Sequence, residues 1–106
     1  MNTLDNAVRA TVSSIAMDAI FLSDSNDLED KVKQIDHDVD IAFETLGHVF
    51  TDSCIGDTVT RGIAKREVYA LVKGYKGDTR NFAAIDDYVE AAINLEELFN
   101  DLHYQV

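Results

Sequence analysis

Apolar residues recur along this chain at alternating steps of four and three, and strict apolar/polar alternation never lasts more than a few residues. That spacing is helical, so helices are predicted throughout and no sheet. The longest run is Leu28, Val32, Ile35, Val39, Ala42, Leu46 and Val49. It is a seven-residue repeat with a narrow seam, and it predicts a helix from Leu28 to Phe50 of roughly 35 Å at about 1.5 Å per residue. The opposite face of that helix reads Glu29, Asp30, Asp36, His37, Asp38, Asp40 and Glu44.

Upstream, Leu4, Ala7 or Val8, Thr11 or Val12, Ile15, Ala19 and Leu22 form a similar stripe, widened by Ala16 and Ile20. Asn2 or Thr3 is placed to cap this first helix, with Asp5 in its first turn. The polar run Ser23 to Asp27 ends it, and so short a connection predicts an antiparallel hairpin with the second helix. Thr, Asp, Ser and Gly cluster between Thr51 and Gly56 and stop the second helix. Asp57 or Thr58 then caps a third, running to about Tyr75 with Ala64, Val68, Leu71 and Tyr75 inward and Ile63 and Val72 beside them. Asp78 to Asn81 reads as a turn, and a fourth helix follows from Phe82 to Leu102. Its stripe is Phe82, Ile85, Val89, Ala92 or Ile93, and Leu95 to Phe99. The predicted fold class is all-α: a small antiparallel bundle of about four helices, one domain over residues 1–106.

Composition supports this and adds a charge problem. The chain has no proline, which suits uninterrupted helices, and its 46% apolar content is that of a globular protein. The lone Cys54 excludes an internal disulfide and a cysteine zinc site, so a reducing cytoplasm is the expected compartment. The N-terminal residues lack a secretory pattern, and the longest charge-free run, Ala10 to Met17, is too short to span a bilayer. Twenty acids against nine bases leave a net charge of −11. Such a field repels nucleic acid and anionic membranes and favours a basic protein partner.

The charge is uneven. Residues 1–56 hold eleven acids and three bases, residues 57–80 three acids and six bases, and residues 81–106 six acids and no base. Arg61, Lys65, Lys73 and Lys76 fall along one side of the third helix with Tyr69 between them. This stripe is either a grip for an acidic partner or, as the simpler reading has it, a counter-charge for the acidic helices around it.

Asp36, Asp40 and Glu44 stand at i, i+4 and i+8, where each neighbouring pair repels by a few tenths of a kcal/mol. Asp38 adds to this row, and Asp86, Asp87 and Glu90, followed by Glu97 and Asp101, form a second on the outer side of the fourth helix. Two such rows about one helix diameter apart, roughly 10 Å, imitate the charge track of a nucleic-acid duplex. The bland alternative is a solvated acidic face. Glu44 and His48 form an i, i+4 pair of metal-ligand type, but the paired inward glutamate and histidine motifs of a di-metal bundle are missing, and no metal or cofactor is expected. His37 lies off the apolar seam, and His103 near the end of the chain reads as exposed. Cys54 has no base beside it, and the five glycines lack the spacing of a phosphate loop, so the reading is not an enzyme. Phe43 and Phe50 sit one position beyond the seam, and with Tyr69 they are the candidate contacts for self-association as a homodimer. Tyr88, Leu98 and Tyr104 add to the apolar excess.

In general type the chain resembles the small, very acidic, helical inhibitor and anti-defence proteins encoded by phages and other mobile elements. The likeness is one of composition and class and covers no motif. It implies a stoichiometric inhibitor, DNA-mimic in character, that occupies the basic groove of a nucleic-acid-handling protein. The alternative, from a different class, is a homo-oligomeric structural or adaptor bundle.

Overall fold

The computed structural model describes residues 3–21, 28–96 and 98, with side chains for these except Leu28. Among the described residues four helices are present: α1 (Thr3–Phe21), α2 (Leu28–Val49), α3 (Thr58–Gly74) and α4 (Phe82–Ala92). The protein is a small all-α bundle, as its periodicity predicts. Among the described residues no helix is long and apolar enough to cross a membrane. The expected cap at Asn2, the turn Ser23 to Asp27 and the positions Leu22, Glu97, Phe99, Asp101, Leu102, His103 and Tyr104 lie outside the described residues.

The centre of the bundle is α1, not α2. It packs against each of the other three helices, whereas α2 packs on α1 and α3, and α4 chiefly on α1. Its Val8, Val12, Ser13, Ile15, Ala16, Ala19 and Ile20 are all buried, more than one narrow face holds. A helix apolar on several sides belongs inside, and the charge-free run Ala10 to Met17 is the sequence mark of this.

The seam of α2 differs from a strict seven-residue repeat in an instructive way. Ile35, Val39 and Phe43 are fully buried, Ala42 and Phe50 are half-buried, and Val49 is 68% exposed. A straight helix turns about 100° per residue, so a seven-residue repeat drifts by about 20° each time. Counted from Val39, Val49 ends about 80° to one side while Phe50 lies within about 20°, and Phe43 lies closer to the axis of burial than Ala42. Phe43 is therefore core. It has no surface to offer a second subunit, and the expectation that it mediates self-association is corrected.

Between α2 and α3 the chain makes a tight connection that carries a core residue of its own. Ser53 N–H donates to the Phe50 carbonyl at 3.1 Å, its hydroxyl donates to the same oxygen at 2.8 Å, and Asp57 N–H donates to the Cys54 carbonyl at 3.0 Å. These bonds aim Ile55 inward, where it is completely buried. Gly47 and Gly56 let the two backbones meet there: a Cβ on Gly47 would lie 3.3 Å from Gly56 Cα.

The two Gly-Asp-Thr tripeptides take different roles. Asp57 is the N-cap residue of α3 without a side-chain cap bond, whereas Asp78 closes a turn by accepting from Arg80 N–H at 2.8 Å. Asn81 then caps α4 by accepting from Ala84 N–H at 3.1 Å. α4 ends at Ala92, ten residues earlier than its apolar stripe suggests. Asn94 is the cause. Its N–H donates to Glu67 Oε1 at 2.7 Å and its side chain accepts from Glu96 N–H at 3.1 Å, so it starts a new turn instead of continuing the old one. Ile93, Leu95 and Leu98 remain buried beyond the break. At the end of α3 the Tyr88 hydroxyl donates to the Leu71 carbonyl at 2.7 Å, occupying space that a side chain at Gly74 would fill. Burial raises the Tyr88 pKa above its ordinary value.

Candidate partner-binding surface

The acidic ridge of α2 faces two ways. Asp36 and Asp40 flank the buried seam on the side of α3, and both are only half-exposed. Asp40 Oδ1 accepts from Arg61 at 3.1 Å and from Lys65 Nζ at 2.9 Å. Asp36 lines the adjoining groove with Val32 and Ile35, opposite Lys65, Arg66 and Tyr69. Glu44 is exposed, 3.9 Å from His48 Nε2, and Asp38 lies on the other flank. The simpler reading of the basic stripe thus holds for Arg61 and Lys65, which both pair with the single α2 carboxylate of Asp40 within the fold. Asp40 is thus already paired within its own chain.

The Lys65 hydrogen bond is the largest influence on Asp40, and with the Arg61 charge it holds this carboxyl below its ordinary value of 3.8 despite the opposing effect of burial. A depressed carboxylate stabilises the fold above the unfolded-state pKa and loses that contribution as pH falls through the lower folded value. Because the side chain is 43% exposed, the pair is worth only about 0.5–1 kcal/mol. Asp40→Asn is therefore expected to lower stability by that amount at neutral pH, with the gap from the parent protein closing between about pH 5 and pH 2. Urea midpoints across that range check it, and a gap that does not change with pH would remove the ion pair as its cause.

The second row lies on α4. Asp87 and Glu90 are exposed, but Asp86 is half-buried, and Asp86 and Glu90 border a groove against α1 and not an outer face. Arg9 Nη2 donates to the Glu90 carbonyl at 3.3 Å and stands 3.9 Å from its carboxylate. α2 and α4 approach each other only marginally, whereas each packs along α1, so the two rows are not carried on closely packed neighbouring helices.

The remaining candidates divide similarly. His37 and His48 are exposed, and among the described residues no three His, Cys, Asp or Glu side chains gather as a metal would require. Phe50 is half-buried against the core and Tyr69 lines the α2–α3 groove, so neither stands proud of the surface. Among the described residues the exposed large apolar side chains are others: Phe21, Ile41, Val49, Val59 and Phe82. Phe21 and Phe82 meet edge to face with ring centroids 5.7 Å apart. Steps of four link Ile41 to Val49 on the outer side of α2, a signal visible in the sequence but outweighed there by the longer seam. Comparison with protein-family models, curated proteins and solved structures finds no match to this chain.

Proposed function

We propose that this chain is a non-enzymatic acidic interaction protein that binds a basic, nucleic-acid-handling protein in the cytoplasm and blocks it, in the manner of a DNA-mimic inhibitor. One observation carries the reading: four of the described carboxylates stand outside any ion pair. Among the described residues Asp36, Asp38, Asp86 and Asp87 form no ion pair, although the net charge is −11. Such a surplus costs self-repulsion and is repaid by a partner of opposite charge, which it also steers. Asp36, Asp38, Glu44, Asp86, Asp87 and Glu90 form the binding set, on two separate faces.

The test is capture from the source cell's lysate, washed at low and high salt. A basic nucleic-acid-binding protein should be retained at low salt and lost near 1 M salt, where screening shortens to about 3 Å. The variant D36N/D38N/D87N should capture about tenfold less while keeping its helical circular dichroism. Retention indifferent to both salt and variant overturns the reading. The exposure of Val49 at 68% and Phe82 at 57% favours a second reading, a homo-oligomeric adaptor bundle. Light scattering that finds a salt-insensitive oligomer would support it.

A further inference from the structure

The groove between α2 and α3 encloses about 340 Å³ and is predominantly apolar. That is the small end of the range for ligand sites, roughly 300–1,000 Å³, and it suits one large side chain. Val32, Ile35 and Tyr69 supply the apolar lining; Ile35 is buried and the other two are half-buried. Asp36 stands on the α2 side, and Lys65 and Arg66 on the α3 side.

The polar groups on the two sides are not equally available. Lys65 Nζ is bonded to Asp40 Oδ1 at 2.9 Å, and Arg66 has a partner as well. Among the described residues the half-exposed Asp36 carboxylate and the Tyr69 hydroxyl have no hydrogen-bond or ion-pair partner. An occupant therefore has an apolar surface to cover and one carboxylate, an acceptor without a proton to give, to satisfy.

These demands discriminate between chemistries. A phosphate or carboxylate would meet Asp36 across an apolar lining. A guanidinium or ammonium head would meet Lys65 and Arg66. An aliphatic side chain would cover Asp36 without giving it a donor, which is costly. An indole avoids all three faults, because it is neutral, its N–H donates and has no lone pair to oppose a carboxylate, and its ring packs well against a tyrosine ring. The net charge of −11 then decides what carries the indole. A free indole acid is repelled, whereas an indole flanked by lysine or arginine is drawn in.

We propose that the α2–α3 groove receives a tryptophan side chain of the basic partner protein, its ring against Val32 and Tyr69 and its N–H on the Asp36 carboxylate. The proposal deepens the acidic-inhibitor reading and rests on it. It sets an apolar anchor beside the charge of α2, and buried aromatic anchors carry most of the affinity of protein interfaces.

The probe is an acetylated, amidated peptide, Lys-Ala-Trp-Ala-Lys, titrated into the full chain with backbone amide shifts and calorimetry recorded. Run beside it are the same peptide with leucine for tryptophan, the same with glutamate for both lysines, and N-acetyltryptophanamide. Shifts should centre on Val32, Asp36 and Tyr69. Leucine in place of tryptophan should weaken binding about tenfold, and so should Y69A in the chain. D36N should weaken it about fivefold by exchanging a charge-assisted bond for a neutral one. D86N/D87N on α4 should change it less than twofold. The peptide series needs no variant of the chain, so it reads the groove even if Y69A fails to fold. A leucine peptide that binds as well as the tryptophan peptide, or binding indifferent to both D36N and Y69A, overturns the groove. N-acetyltryptophanamide or the glutamate peptide binding as tightly as the lysine peptide overturns the assignment to a basic protein. A folded Y69A that leaves salt-sensitive lysate capture unchanged removes this proposal alone. Capture indifferent to salt and to D36N/D38N/D87N removes the reading beneath it.

Discussion

Phe43→Ala is expected to cost about 3–5 kcal/mol, the range for deleting a buried aromatic ring from a core that closes only partly over the gap. Phe43 is the largest fully buried side chain among the described residues, and it lies on α2 between Val39 and the Gly47–Gly56 contact. A domain of this size has a total stability of about 5–15 kcal/mol, so the variant should sit near the threshold of folding. Val49→Ala, six positions away but 68% exposed, should change stability by no more than about 0.5 kcal/mol. Urea unfolding of the two variants separates a helix turning at 3.6 residues from one following its seven-residue repeat. A loss below about 1 kcal/mol at Phe43, or dissociation of an oligomer without loss of monomer stability, would return this residue to an interface.

The same contrast shows how far the amino-acid pattern alone carries. The four helices and most of their ends were legible because apolar period agrees with the cap read at Asp57 and the turn read at Asp78 to Asn81. What escaped was whatever depends on which helix meets which. Stripe width on α1, not stripe length on α2, marks the central helix, since a helix surrounded by others is apolar on several sides. The fourth helix was read ten residues too long because Ile93, Leu95 and Leu98 keep an apolar run going while Asn94 diverts the backbone, and apolar spacing does not register a side chain competing for backbone bonds. Asn94 to Glu97 does have the spacing of a capping box, which was the available signal.

The candidate surface was legible in charge and not in pairing. A ridge at Asp36, Asp40 and Glu44 looks uniform along the chain, yet Asp40 meets Arg61 and Lys65 from twenty and more positions away. Packing α3 against α2 turned one third of that ridge into internal ion pairs. The same packing of α4 against α1 turned Asp86 from an outward charge into the wall of a groove. Tertiary contact thus decides which carboxylates remain outside internal ion pairs.

Ile55→Ala is expected to cost about 2–4 kcal/mol, a large effect for a residue outside any helix. Periodicity has no bearing on a single apolar position between Cys54 and Gly56, and the surrounding Thr51, Asp52 and Ser53 read as solvent-facing turn chemistry. The hydrogen bonds from Ser53 to the Phe50 carbonyl make the difference, because they fix the turn that carries Ile55 into the space between the end of α2 and the start of α3. Thr51→Ala and Asp52→Ala, both exposed, should stay within about 0.5 kcal/mol, and Ser53→Ala should lose about 1 kcal/mol by loosening the turn. If Ile55→Ala proves as mild as its neighbours, the connection is a passive linker and α3 is held on α2 by helix contacts and the Asp40 ion pairs alone. If it is costly, the connection is part of the core. The position of the basic helix, and with it the pairing of Asp40, then depends on this isoleucine as well as on the helix contacts.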